Sequence, residues 1–295
     1  PSMRDALWYG DGTKLNLYYK GFDSKGKAVL CSTQVYEVMD VHSEVFLGYH
    51  ISDSENYEAQ YKAMRMAVET AGCRPFEIVT DGQGGHKKLE SMQFFERITR
   101  VSRRTAPYNP QSKTIENAFG RFQAQILHKD WRFTGQNITA KRADSRPNLE
   151  FIEANVEHLY TLSELKEAYA LCREEWNTAK HPATKRPRIE MYKASVNPEA
   201  QPLAFVDMVD MFWKTTEQPS TFTSSGITIT IDKKEYTYEV YDSNNMPDLA
   251  FRRKNTYRKF VVKYDPLDMS SVRLYTEDKG ALRFVATAHP YYVTH

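Results

Sequence analysis

Two carboxylates in this sequence lie where proteins commonly expose a reactive group. Asp81 ends a short apolar strand and is followed by the glycine-rich stretch 82–85. Glu116 lies 35 residues further on, in the first turn of a predicted helix. A lone Asp in a strand-to-helix turn is more often a helix cap, and a Glu in a first turn is more often a partner of the helix dipole. Because a helix, a strand and a loop separate them, however, the two can converge beside one sheet.

A third carboxylate on the first predicted strand would complete an oxygen-rich site. Asp5, Asp11, Asp23 and Asp40 are the candidates in that part of the chain. Mg²⁺ prefers oxygen ligands and is commonly held by few carboxylates. Two such ions about 3.5 to 4 Å apart can activate a water or a DNA 3′ hydroxyl and stabilise the leaving oxygen of an in-line displacement. Three converging carboxylates would therefore suit phosphoryl transfer, which needs no His or Cys nucleophile.

The elements that must position these residues alternate as in a mixed α/β domain. Strands are expected at 7–19, 28–41, 45–51, 76–80 and 101–105. Helices are expected between Ser52, which pairs with Glu55 in a capping box, and Gly72, and then at 86–98 and 113–129. A loop over 107–112 leads directly to Glu116.

Beyond this core the pattern changes twice. Residues 131–160 are expected to be irregular, a helix follows the capping pair Thr161 and Glu164, and the proline-rich stretch 181–202 suggests a strap or linker. From about residue 218, short segments alternate in period two and predict a small β-barrel. We therefore expect an α/β catalytic core at 1–215, with a helical and proline-rich extension from about 150, and an all-β barrel at 216–295.

Charge is distributed unevenly along the chain. Its 40 Lys and Arg nearly balance its 38 Asp and Glu, which excludes a protein that coats DNA over its whole surface. Residues 97–146 nevertheless carry 11 basic and 3 acidic groups, and residues 252–263 carry six basic and none acidic. Local gripping of a polyanion is one interpretation. A solvated face, or a charged barrel edge that prevents sheet aggregation, is the other.

Asp11, Asp81 and Glu116, with the loop Pro107-Tyr-Asn-Pro-Gln-Ser before Glu116, resemble the DDE signature of retroviral integrases and related transposases. This resemblance, together with position on the strand, favours Asp11 over the other early aspartates. The stretches 133–140, 142–148, 186–190 and 262–266 resemble the bacteriophage Mu transposase group. The likeness covers nearly the whole chain.

The resemblance implies a ribonuclease-H-like core followed by a Mu-type C-terminal barrel. The implied activity is that of a DDE-type polynucleotidyl transferase, which nicks transposon ends and joins the freed 3′ hydroxyl to target DNA. The implied cofactor is Mg²⁺ or Mn²⁺, as two ions held by Asp11, Asp81 and Glu116. Transposon-end and target DNA, a homo-oligomer on the DNA and a target-delivery ATPase are the implied partners. No apolar run is long enough to span a bilayer, so we expect a bacterial cytoplasmic protein without a membrane partner.

Basic and polar residues near the proposed carboxylates, and in the barrel, are candidates for DNA contact. Contacts to phosphates would make binding salt-dependent without reading sequence. The candidates in the core are Arg103, Arg104, Tyr108, Asn109, Gln111, Lys113 and Arg121, and those in the barrel are Arg252, Arg253, Lys254 and Arg258. Solvation of helices and simple filling of the loop are the alternative explanations.

Two other functions stay open at this point. One is a ribonuclease-H-like nuclease that cuts without joining, and the other is a captured, non-catalytic DNA-binding or assembly module. The first proposed catalytic strand begins soon after Pro1, which leaves no room for a helix-turn-helix before it. We therefore expect either a fragment of a longer transposase or a protein that takes end recognition from a partner.

Overall fold

The computed structural model describes residues 1–53, 56–81, 88–105, 113–133 and 149–291. The side chains of residues 81, 88–92, 101–105, 113 and 149 lie outside this description. The chain divides by compactness into two units, Pro1–Leu203 and Ala204–His295. Within the described ranges, no helix is both long enough and apolar enough to cross a membrane.

A mixed five-stranded sheet forms the centre of the first unit. Its strands are β1 (Leu7–Phe22), β2 (Ala28–Asp40), β3 (Phe46–Ser52), β4 (Glu77–Asp81) and β5 (Val101–Thr105). Their spatial order is β3-β2-β1-β4-β5. The first three strands pair antiparallel, whereas β4 runs parallel to β1 and β5 runs parallel to β4.

Helices connect and cover these strands. They are α1 (Tyr57–Ala71), α2 (Lys88–Ile98), α3 (Lys113–Gln125), α4 (Leu149–Ala154), α5 (Leu162–Thr178) and α6 (Arg188–Ala194). The sequence of three strands and then alternating helices and strands is the predicted one. The predicted cap at Ser52 is wrong, because the side chain of Asn56 accepts the hydrogen bond from the Ala59 amide that begins α1. Gly72 ends α1 as predicted, in the left-handed region at φ 69°.

One face of the sheet carries a hydrophobic core of the first unit. From α3, the side chains of Ile115, Phe119 and Phe122 recur at helical spacing and are buried there. The strands contribute Tyr9, Leu15, Leu17, Val35, Met39, Phe46, Ile51 and Val79, and α5 contributes Leu165, Tyr169 and Trp176. The helix that carries Glu116 is thus fixed to the sheet by its apolar stripe.

Gly48 lies where α1 packs directly on β3. A Cβ at this position would lie 2.2 Å from the Ala63 carbonyl oxygen and 2.4 Å from the Ala67 nitrogen, which are backbone atoms. We expect Gly48→Ala to lower the free energy of unfolding by about 1–3 kcal/mol, because α1 must shift away from the sheet. Denaturant unfolding measures this change.

The matched control is Gly120→Ala in α3, where an added Cβ has no atom within 4 Å. Since alanine favours a helix interior over glycine, this control should gain about 0.5–1 kcal/mol. Equal unfolding midpoints for Gly48→Ala and the unsubstituted chain would show that α1 does not pack against β3 as described.

Two stretches that the sequence predicts as irregular or as a linker contain helices. The first includes α4 and a short 3-10 helix at Val156–His158. The second includes α6, whose Arg188 side chain is fully buried. Its guanidinium donates to the carbonyl oxygens of Ala179 and Lys180 at 3.2 Å each. These tertiary hydrogen bonds explain why a proline-rich stretch packs against the core.

The second unit is a barrel with two short helices. Its elements are α7 (Phe205–Phe212), β6 (Lys214–Thr215), β7 (Ser220–Thr223), β8 (Gly226–Ile231), β9 (Lys234–Glu239), α8 (Leu249–Asn255), β10 (Lys259–Asp265), β11 (Asp268–Asp278) and β12 (Ala281–Pro290). Six antiparallel strands close in the order β11-β12-β9-β8-β7-β10, with β10 pairing back to β11. The predicted alternation of buried and exposed residues is confirmed in β8, where Ile227 and Ile229 are buried and Thr228 and Thr230 are exposed.

The boundary between the units lies before α7. The Leu203 amide donates to the Gly72 carbonyl oxygen inside the first unit, whereas α7 packs against β10 of the second. The sequence-based division falls later, after residue 215. The apolar residues of α7 are equally compatible with a last helix of the core, so the sequence alone does not assign this helix to the barrel unit.

Candidate active site

Strand register brings Asp11 next to the backbone of Asp81. The parallel pairing of β1 with β4 runs from Leu7 opposite Glu77 to Gly10 opposite Thr80, so Asp11 and Asp81 are the next residues on the two strands. Side chains two apart on a strand share a face, which puts Asp11 on the face of Tyr9 and of the core that includes α3 and α5. Asp11 is half-buried. The side chain of Asp81 lies outside the described residues.

Glu116 lies on the helix that covers this face. It is exposed and occupies the first turn of α3, beside Ile115, which is buried in the same core as Tyr9 and Val79. Asp11 and Glu116 therefore belong to two elements that contribute to the same hydrophobic core. Among the side chains that the structure describes, no three of His, Cys, Asp or Glu are grouped so as to hold a metal ion, and that set omits Asp81.

The other early aspartates have structural roles. The fully buried Asp40 carboxylate accepts hydrogen bonds from the amides of Asp5 and Ser43 at 2.9 Å. Asp5, also fully buried, accepts from the Trp8 indole at 3.0 Å and from the Tyr192 hydroxyl at 2.8 Å.

Asp23 closes the turn between β1 and β2 by accepting from the amides of Lys25 and Lys27. Asp11 differs from these three in its position on β1 beside the end of β4, which suits the proposed site.

A buried ionic cluster that sequence reasoning missed lies on the same face. Glu37 is the cross-strand neighbour of Asp11 in the pairing of β1 with β2. Its carboxylate is fully buried, accepts from the Tyr169 hydroxyl at 2.9 Å and accepts from Arg173 Nε at 2.9 Å. The guanidinium of Arg173 also lies over the ring of Tyr49, 4.1 Å from its centroid. One sequence signal could have predicted this cluster: Glu37 lies between Val35 and Met39 on an otherwise apolar strand face, where a buried carboxylate needs a partner.

The pKa values of this cluster are shifted by burial and by mutual charge. Burial raises the pKa of Glu37 to about 7, although the charge and hydrogen bonds of Arg173 act in the opposite direction. Burial, followed by the charge of Glu37, raises the pKa of Tyr169 well above its ordinary value. For Arg173, burial alone would lower the pKa, but the charge and hydrogen bond of Glu37 and the charges of Tyr169 and Tyr49 together outweigh it, so the pKa is raised. Tyr169 and Arg173 therefore stay protonated donors.

The raised pKa of Glu37 predicts a pH dependence of stability. An acid whose folded-state pKa lies above its unfolded value binds its proton more tightly in the folded chain. Its contribution is fully present below its ordinary pKa of 4.5 and is lost as pH rises through about 7. We expect this residue to lower the free energy of unfolding over that window. Chemical denaturation from pH 4.5 to 8 should show a flatter profile for Glu37→Gln, and an unchanged profile would contradict the prediction.

Arg121, a predicted DNA contact, has a partner inside the first unit. It forms an ion pair with Glu44, which lies in the turn between β2 and β3 at a left-handed φ of 60°. Glu44 also pairs with the buried Arg188, at 3.3 Å from its Nη2. This double pairing ties α3 and α6 to the turn, so Arg121 helps to hold the helix that carries Glu116.

The remaining predicted DNA contacts of the first unit fall mostly outside the description. Arg103 and Arg104 lie on β5 and Lys113 begins α3, but their side chains are not described. Tyr108, Asn109 and Gln111 lie outside the described residues. Their assignment to DNA stays a prediction from sequence.

In the barrel, the predicted contacts differ in their surroundings. Arg252 pairs with the buried Glu239, with Nε 3.1 Å from Oε2. Arg253 and Lys254 are exposed on α8. Arg258 is exposed as well and donates to Asn255 Oδ1 at 2.9 Å. The charge of Arg252 therefore serves the barrel itself, while the other three side chains face solvent.

Two of the three cysteines are poorly suited to act as nucleophiles. Burial, followed by the charge of Asp5, raises the pKa of Cys73 to about 12. Burial also raises the pKa of Cys172 to about 11. Since the thiolate is the nucleophilic form, both groups are inert at neutral pH.

Comparison with known proteins gives distant structural likenesses. No protein-family model matches the sequence, and a search of curated proteins finds no match. A chain of the simian T-cell lymphotropic virus intasome, solved by cryoEM in complex with PP2A regulatory subunit B56 gamma, is similar over 100% of this chain and 81% of its own, with 12% identity and a TM-score of 0.44. The catalytic core domain of BIV integrase is similar over 64% of this chain and 94% of its own, with 12% identity and a TM-score of 0.36. The function proposed below therefore rests on the residues of this chain.

Proposed function

We propose that this chain is a DDE-type polynucleotidyl transferase with a ribonuclease-H-like core and a Mu-type C-terminal barrel. Its reaction would be the nicking of transposon ends and the joining of the freed 3′ hydroxyl to target DNA. The observation that carries the proposal is the register of β1 with β4, which makes Asp11 and Asp81 neighbours on a sheet covered by the helix of Glu116. The mixed sheet, with three antiparallel strands followed by two parallel ones, supports the core assignment.

The three carboxylates are the residues that would hold Mg²⁺ or Mn²⁺, as two ions. Their donor set fits, because it consists of oxygen atoms only and the half-buried Asp11 offers a carboxylate at the edge of the core. Such ions, when bound, supply Lewis-acid stabilisation of the oxygens that enter and leave the phosphorus. The chain's own part would be positioning: the register of β1 with β4 makes the backbones of Asp11 and Asp81 neighbours, and the apolar stripe of α3 holds the helix that carries Glu116.

DNA is the partner that this reaction requires, as transposon ends and as target. The exposed Arg253, Lys254 and Arg258 of the barrel are suited to phosphate contacts. Assembly of several copies on the DNA, and delivery of the target by an ATPase, belong to the same proposal through the resemblance to Mu-type transposases.

A strand-transfer assay tests the function. The full chain is incubated with Mg²⁺ or Mn²⁺, a supercoiled plasmid target and labelled duplexes that carry the element's ends with a free 3′ hydroxyl. We expect labelled DNA covalently joined to the plasmid, and much less with a duplex of scrambled sequence when an end-recognition partner is supplied. Cleavage without joining would identify a nuclease instead. No metal-dependent product under any of these conditions would favour a non-catalytic module.

A further inference from the structure

Tyr257 has an unusual combination of backbone and side-chain environments. It follows α8 and the capping residue Thr256, and its φ of 67° lies in the left-handed region. Gly, or less often Asn, is the usual residue at such a position, because a Cβ is unfavourable there. Its side chain is nevertheless 83% exposed. The fold therefore does not recover the backbone strain by burying the ring.

The backbone around Tyr257 is held firmly. Its amide donates to the Phe222 carbonyl oxygen at 2.8 Å, and the Phe222 amide donates to the Arg258 carbonyl oxygen at 2.9 Å. Asn255 is buried, and its side-chain amide donates to the Phe251 carbonyl oxygen at 2.9 Å. The ring thus projects from a fixed point of the barrel.

Four exposed cationic side chains lie within four residues of Tyr257. They are Arg253, Lys254, Arg258 and Lys259, and no acidic residue interrupts them. The ion pair between Arg252 and Glu239 anchors the helix from which two of these cations project. Proteins bind unpaired nucleotides with exposed aromatic rings that stack on bases and nearby cations that contact phosphates, and this segment combines both kinds of side chain.

We infer that Tyr257 is a stacking platform for an unpaired DNA base, with the flanking cations gripping the neighbouring phosphates. The inference goes beyond the proposed function, on which it rests only in taking DNA as the ligand. It assigns to the barrel a preference for single-stranded over duplex DNA. Because the backbone that carries the ring is already held in place, little backbone freedom is lost on binding.

Binding of a labelled single-stranded oligonucleotide to the full chain, measured by fluorescence anisotropy in EDTA, tests this assignment. The informative variant is Tyr257→Asn, because Asn removes the ring and tolerates the left-handed backbone. We expect the Kd for the single strand to rise about 5- to 100-fold, in line with the loss of one stacked base. The Kd for a duplex of the same length should stay within about twofold, since its bases are already stacked.

Three controls separate stacking from charge and from folding. Tyr257→Phe keeps the ring and should keep the affinity, whereas Arg253→Gln should weaken single-strand and duplex binding alike and reduce the salt dependence. The melting temperature of Tyr257→Asn should be unchanged or higher. A lower melting temperature, or single-strand binding equal to that of the unsubstituted chain, would overturn the assignment. Since no metal is present, neither outcome depends on the catalytic proposal.

Discussion

Replacing Asp11 with Asn should lower strand transfer by roughly a thousandfold or more, because the change removes a negatively charged metal ligand without altering its size. Asp81→Asn and Glu116→Gln should have effects of the same order. DNA binding and melting temperature should change little, since Asp11 is half-buried and Glu116 is exposed. The measurement is the rate of joined product at saturating Mg²⁺, with each variant's DNA affinity determined in parallel.

Asp23→Asn is the matched control for these substitutions. It also removes one carboxylate from the first unit, but Asp23 only closes the turn between β1 and β2. We expect its transfer rate to equal that of the unsubstituted chain. If Asp11→Asn transfers strands as fast as Asp23→Asn does, Asp11 is not part of the active site.

Arg173→Met should lower the free energy of unfolding by about 3–5 kcal/mol at pH 8, because it leaves the buried carboxylate of Glu37 without its charged partner. Arg173 Nη2 lies 2.7 Å from Glu37 Oε1, and both side chains are almost completely inaccessible to solvent. The loss should be smaller at pH 5, where Glu37 can be neutral. Urea unfolding at the two pH values measures the difference.

A double substitution tests whether the loss comes from the unpaired charge. Glu37→Leu combined with Arg173→Met replaces both charges with apolar groups, and it should recover much of the stability lost by Arg173→Met alone. Additive losses in the double variant would mean that the two residues do not act as a pair. Lys129→Met is a suitable single control, since its pairing with Glu175 is exposed on the surface of the first unit and should contribute less than about 1 kcal/mol.

Several elements of both units can be predicted from sequence because their signals are local. Apolar residues three and four apart predict α3, Gly72 predicts the end of α1, and the alternation in β8 predicts a barrel strand. The capping box of α5 is also predicted correctly: the side chains of Thr161 and Glu164 each accept a hydrogen bond from the other's backbone amide. Asp11 is harder to predict, because four aspartates compete: the resemblance and its position on the first strand favour it, and the strand register then places it next to the backbone of Asp81.

The features that sequence could not give depend on contacts between distant residues. From its position in a helix, Arg173 would be expected to face solvent. Its buried partner Glu37 is far away in the chain, so local spacing does not predict their contact. Arg188 lies in the stretch that the sequence predicts as a linker. In the structure its guanidinium donates to the carbonyl oxygens of the residues that follow α5. Tyr257 reads as one more barrel aromatic, because neither its backbone conformation nor its exposure is encoded in a local pattern.

Whether Asp11, Asp81 and Glu116 share a metal ion is best tested by a crystal structure of the chain soaked in Mn²⁺, with anomalous scattering used to locate the ions. We expect one or two anomalous peaks, each contacted by carboxylate oxygens of Asp11 and of at least one of the other two residues. Peaks held by other residues, or three carboxylates that point apart with no ion between them, would contradict the proposed active site.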